Sequence, residues 1–132
     1  MLVLRDIESI TTITDSHLRQ LIERRIQGIE ECCPWDADEL GPFIVVNPGD
    51  TPADLEVIMG FSILEDTFND ARFGDDHFSP SFEFAEIHGD HLFEVVYVVS
   101  DSGYGYDIFI LNRPGIDPLL LSFCQTYAVP AM

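Results

Sequence analysis

The chain has 132 residues, 46% of them hydrophobic and ten of them phenylalanine, which suits one folded domain with a real core and argues against intrinsic disorder. It carries 24 acidic residues against six basic ones, a net charge of −18, and every basic residue is an arginine. A field of that sign repels nucleic acid, anionic membranes and anionic substrates, and attracts basic proteins.

Leu4 to Ile13 is rich in Ile and Thr and reads either as a short strand or as a helical lead-in. Thr14-Asp15-Ser16 supplies capping side chains for a helix through about Glu31. Leu18, Leu21, Ile22, Ile26 and Ile29 mark its buried stripe, with Arg19, Glu23, Arg24, Gln27 and Glu30 largely on the other side. Cys33-Pro34 ends it. An acidic loop with the single tryptophan, Trp35, leads to Phe43–Val46, which reads as a strand bounded by Pro42 and Asn47-Pro48-Gly49. Thr51 caps a second helix over 52–60, with Pro52 in its first turn, Asp54 on the dipole and Leu55, Ile58 and Met59 facing inward. Phe61 to Phe82 has no clear period and is either a functional loop or hides a helix over 62–69.

Residues 82–111 carry the densest strand pattern and predict a three-stranded antiparallel meander. Gly89-Asp90 reads as a two-residue hairpin turn, and Ser100-Asp101-Ser102-Gly103 as the next reversal. Leu92 to Val99 is apolar on both faces, with Glu94 as the one interruption, so it belongs in the middle of a sheet. The strand after it alternates more, with Tyr106, Ile108 and Ile110 against Asp107, Phe109 and Leu111, and reads as closer to an edge. Asp117-Pro118 opens a last helix to about residue 128. The expectation is a single α+β domain over 1–132, an antiparallel sheet of about four strands packed with about three helices.

No apolar run approaches the length of a membrane span. Met1 to Asp6 lacks the basic start and long apolar centre of a signal peptide. Three cysteines, with Cys32 and Cys33 adjacent, do not make a disulfide framework, so a cytoplasmic setting is expected. Cys124 reads as core filler.

Candidate sites are few. His88 and His91 flank the predicted turn and would face each other across a two-residue hairpin, with Glu86 or Asp90 as a third metal ligand. Against this stands a plain polar hairpin tip. Gly74-Asp75-Asp76-His77 lacks the spacing of a calcium loop. The glycine-rich Ser100–Asp107 stretch has neither a following helix nor a lysine to cradle phosphate. The pattern hardest to set aside is the interleaving of aromatics with acids: Trp35 with Asp36, Asp38 and Glu39, then Phe68, Asp70, Phe73, Asp75, Asp76 and Phe78. Exposed, these residues would make an anchor-rich negative surface for a basic partner.

Phe73-Gly74-Asp75, Pro80-Ser81-Phe82-Glu83, Val99 to Gly105 and Gly115 to Leu120 together resemble stretches of small acidic proteins carried on bacterial plasmids and integrative elements. The resemblance spans the C-terminal half and brings no activity, cofactor or catalytic residue with it. It implies a bacterial cytoplasmic accessory protein encoded on mobile DNA.

The function expected from these residues is non-catalytic. The chain would bind a basic protein, such as a nucleic-acid-binding protein, nuclease or toxin, as a mimic, antitoxin or immunity factor. No cofactor, direct nucleic-acid contact or membrane contact is expected. One alternative is a structural or regulatory homo-oligomer, a homodimer in the simplest case. Another is a small metal-assisted enzyme using His88 and His91, disfavoured because six basic residues leave little to stabilise a developing anion.

Overall fold

The computed structural model describes residues 1–4, 7–32, 43–59, 80–89, 91–99 and 105–130. In order, these form β1 (Leu2–Leu4), a 3-10 helix (Ile7–Thr12), α1 (Ser16–Cys32), β2 (Phe43–Val46) and α2 (Pro52–Met59). β3 (Pro80–His88), β4 (Leu92–Val99), β5 (Gly105–Leu111), α3 (Pro118–Tyr127) and β6 (Val129–Pro130) follow. The fold is α+β, as expected. The strands make one six-stranded sheet in the order β1-β2-β5-β4-β3-β6.

That sheet is larger than the expected four strands, and it is mixed. β3, β4 and β5 form the predicted antiparallel meander. β2, however, runs parallel to β5, and β6 runs parallel to β3. The parallel β2–β5 pair sends both C-terminal ends to the same side of the sheet, where the Gly49 N–H donates to the Gly115 carbonyl at 3.1 Å. Gly115 sits there at φ +96°, and a Cβ on it would lie 3.1 Å from Pro48 Cβ, so this crossing of loops requires glycine.

Two further expectations are corrected, and one left open is decided. β5 is an interior strand, flanked by β2 and β4, not a near-edge one. Its alternation comes from Asp107, which is buried rather than exposed at an edge. Of the two readings of Leu4 to Ile13, the helical lead-in is the one found, as the 3-10 helix Ile7–Thr12, with a short strand at Leu2–Leu4 before it pairing β2. The β3–β4 hairpin pairs His88 with Leu92, so its loop holds residues 89–91 and not Gly89-Asp90 alone.

Helices cover both faces of the sheet. On one face Ile44, Val46, Phe93, Val95, Tyr97, Ile108 and Ile110 pack with Leu55 and Met59 of α2 and with Leu120, Phe123 and Cys124 of α3. On the other, Phe43, Val45, Leu92, Phe109 and Leu111 pack with Leu18, Leu21, Ile22 and Ile26 of α1, together with Leu4, Ile10 and Ile13. The two-sided apolar pattern of β4 thus has its predicted cause. Helix starts also follow sequence chemistry. The Asp15 carboxylate accepts from the Leu18 N–H, Asp117 accepts from the N–H groups of Leu119 and Leu120, and Thr51 and Asp54 bond each other reciprocally. No helix among the described residues is long and apolar enough to cross a membrane.

Candidate functional site

The α1 face of the sheet is interrupted by charge. Strand alternation puts Glu86 and His88 of β3, Glu94 of β4 and Asp107 of β5 on this one face. The ladder sets Glu86 directly opposite Glu94 and Val96 opposite Asp107, which leaves Glu94 and Asp107 diagonal neighbours. Arg25 reaches across from α1. Its Nε donates to Asp107 Oδ2 at 2.9 Å and lies 3.6 Å from Glu94 Oε1.

Glu94 is the centre of this cluster. Its side chain is 3% exposed, and its Oε2 lies 2.8 Å from His88 Nε2. That hydrogen bond works in either direction: an Nε2–H can donate to the carboxylate, or a protonated carboxyl can donate to a bare Nε2. Oε1 is buried without a hydrogen-bond partner among the described residues. Burial, reinforced by the adjacent negative charge of Asp107 and opposed by Arg25, pushes the Glu94 carboxyl from 4.5 up to about 7. For His88, burial outweighs the pull of Glu86 and lowers the imidazole below its ordinary 6.5, so it is neutral at pH 7. While Glu94 holds its proton it offers His88 no compensating charge. The cluster grades from the buried Glu94 and Asp107, through His88, to Glu86, which is 35% exposed and opens the group to solvent.

The sequence pointed to Glu86, His88 and His91. The structure brings Glu86 and His88 together with Glu94, within 4.8 Å of one another, and places His91 elsewhere. With three residues in the hairpin loop, His91 leaves the ladder and packs edge-on against His17 of α1, ring centroids 5.5 Å apart. Glu94, Asp107 and Arg25 carry no local motif that marks them as site residues, although Glu94 is the one acid in a strand apolar on both faces. The ten acidic and aromatic residues expected to form a partner surface (Trp35, Asp36, Asp38, Glu39, Phe68, Asp70, Phe73, Asp75, Asp76 and Phe78) lie outside the described residues. So do Asp90, Cys33, the stretch 62–69 read as a hidden helix, the Gly74–His77 loop and the Ser100–Gly103 turn.

No protein-family model, curated protein or solved structure matches this chain.

A second polar feature lies farther along the same face. Arg113 Nη2 bonds Asp15 Oδ2 at 2.7 Å. The pair borders a cavity of about 190 Å³ between Leu2, Thr12, Leu18, Val45 and Leu111. The Leu18 N–H, then Arg113 and His91, hold the Asp15 carboxyl below its usual range against the opposing effect of burial. The cation and the carboxylate of this cavity's described lining are paired to each other.

Proposed function

We propose that this protein is a non-catalytic acidic module that binds a basic protein partner, in the role of a mimic, antitoxin or immunity factor. The observation that supports the reading is where the scarce positive charge goes. Four arginines have described side chains (Arg19, Arg24, Arg25 and Arg113), and three of them are ion-paired within the chain, to Glu23, to Asp107 and Glu94, and to Asp15. The −18 net charge already counts all six arginines, and cations held against the chain's own carboxylates present little local positive potential to an approaching partner. Trp35 to Glu39 and Phe68 to Phe78 supply, on sequence grounds, the aromatic anchors and acids of the contact.

The test is a nuclease-treated pull-down with the tagged protein, eluted by a salt gradient, followed by affinity measurements on the purified partner. A basic protein whose affinity falls steeply with salt supports the reading, as does a slower association rate when paired acids of Asp36, Asp38, Asp75 and Asp76 are changed to Asn. A partner whose binding ignores both salt and these substitutions overturns it.

A second reading, self-association, is favoured by one feature. β6 pairs β3 only at Glu86 and Ile87, so among the described strands none pairs the outer side of β3 from Pro80 to Ala85. An open edge of that length can add a strand from a second copy. A concentration-dependent mass in solution would favour this reading, and a strictly monomeric mass would end it.

A further inference from the structure

We propose that Glu86, His88 and Glu94 form a binding site for one first-row divalent transition-metal ion, with the hairpin β3–β4 as its frame. The three donors are two alternate residues of one strand and the residue directly opposite on its neighbour, an arrangement that the ladder holds rigidly. Around a tetrahedral ion with ligand bonds of about 2.0–2.1 Å, neighbouring donors stand about 3.3 Å apart. His88 Nε2 lies 2.8 Å from Glu94 Oε2 and 3.5 Å from Glu86 Oε2, which brackets that spacing. The Glu86 and Glu94 donor oxygens lie within 4.8 Å of each other, so side-chain adjustment on a fixed ladder would bring all three donors around one ion.

Proximity alone would not distinguish this group from any acidic patch. The distinguishing observation is Glu94, whose side chain is 97% buried: its Oε1 accepts no hydrogen bond among the described residues and has only the longer 3.6 Å approach of the Arg25 guanidinium. A buried carboxylate oxygen without a hydrogen bond costs about 1–3 kcal/mol, and a cation chelated by both oxygens of this carboxylate would lower that cost. Charge points the same way. Three carboxylates and one guanidinium leave the ionised cluster with two uncompensated negative charges, which one divalent ion neutralises. Asp107 is not a ligand in this arrangement. Arg25 holds it, and it stands behind Glu94 as an outer partner.

The donor set selects the metal class. An imidazole with two carboxylates suits Zn2+, Mn2+, Co2+ and their neighbours better than Mg2+ or Ca2+, which prefer oxygen alone. Glu86, at the solvent edge, gives an entry path and leaves room for water to complete the shell.

The experiment is calorimetric titration of the chelator-stripped full chain with ZnCl2, at physiological salt and with millimolar Mg2+ present to suppress diffuse binding to acids. A single Zn2+ equivalent is expected. H88Q and E86Q, both at partly exposed positions, should weaken it at least about tenfold. E56Q, an equal loss of charge on exposed α2, should not change it. Co2+ in place of Zn2+ should give visible ligand-field absorption that H88Q abolishes. The proposal is overturned if Mg2+ removes the binding, if E56Q weakens it as much as E86Q and H88Q, or if no saturable equivalent binds. Circular dichroism of E86Q and H88Q guards against misfolding, and if either fails to fold, the Co2+ spectrum of the wild-type protein alone decides.

Discussion

Replacing Glu94 with Gln should raise stability at alkaline pH and change it far less at acidic pH. The side chain is buried between His88 and Asp107, and its carboxyl is pushed from 4.5 up to about 7. A carboxyl whose folded pKa lies above its unfolded one stabilises the fold while protonated. That contribution is complete below about 4.5 and is lost as pH rises through about 7. At about 1.36 kcal/mol per tenfold change in proton affinity, the full swing is about 3 kcal/mol, and about 2 kcal/mol of it falls between pH 5.5 and pH 8. Gln keeps the shape, can donate an N–H to Asp107 and can accept from His88 with its oxygen, yet has no proton to lose.

The assay is urea unfolding of wild type and E94Q at about pH 5.5 and pH 8, with chelator throughout and at fixed ionic strength. Comparing the two proteins at each pH cancels the repulsion among the many other acids, which both share. The stability difference should move in favour of E94Q by about 2 kcal/mol across this interval. Parallel pH profiles would refute the reasoning, because they would show that Glu94 titrates alike folded and unfolded and is therefore not held in the environment described.

Three other outcomes are expected. Arg25→Met removes the guanidinium from two buried carboxyls and should cost about 2–4 kcal/mol in urea unfolding, with part recovered in the double variant carrying Asp107→Asn. Asp15→Ala removes the cap of α1 and the partner of Arg113 and should cost about 1 kcal/mol near neutral pH. The Asp15 carboxyl is held low in the fold, so its contribution exists above its unfolded pKa, and the variant's deficit should shrink as pH falls below about 4. Cys124, with its thiol pushed up to about 12 by burial, should resist a thiol reagent in the native protein and react only at the unfolding rate, measured in a Cys32→Ser, Cys33→Ser background.

What the sequence made legible is what nearest neighbours decide. The Asp15, Thr51 and Asp117 caps, the apolar stripe of α1 and the two-faced run of β4 each depend on residues a few positions apart, and each stands where its pattern places it. What it hid depends on distant partners. The parallel pairing of β2 with β5 joins Ile44 to Ile108, and nothing local in Phe43–Val46 selects that neighbour over another strand. Val129-Pro130 is too short to carry any period. The alternation that made β5 read as closer to an edge includes Asp107, whose partner Arg25 is 82 residues away on α1.

The hairpin tip shows the same limit at closer range. Gly89-Asp90 satisfies the rules for a two-residue turn, yet the apolar alternation of β4 begins at Leu92, and burying Leu92 on the α1 face requires it, not His91, to pair with His88. A register moved by one residue would turn every side chain of β4 to the opposite face. The core therefore outvotes the turn. The consequence for the site is specific: His91 is carried off the ladder to His17, and Glu94, not His91, comes to stand beside Glu86 and His88. The acid that interrupts β4 was visible from the start as a local inconsistency, and positions that break the pattern of an otherwise consistent strand are where specialised chemistry is expected. The burial of Leu92 and the exchange of His91 for Glu94 are thus one event, set by the packing of β4 under α1.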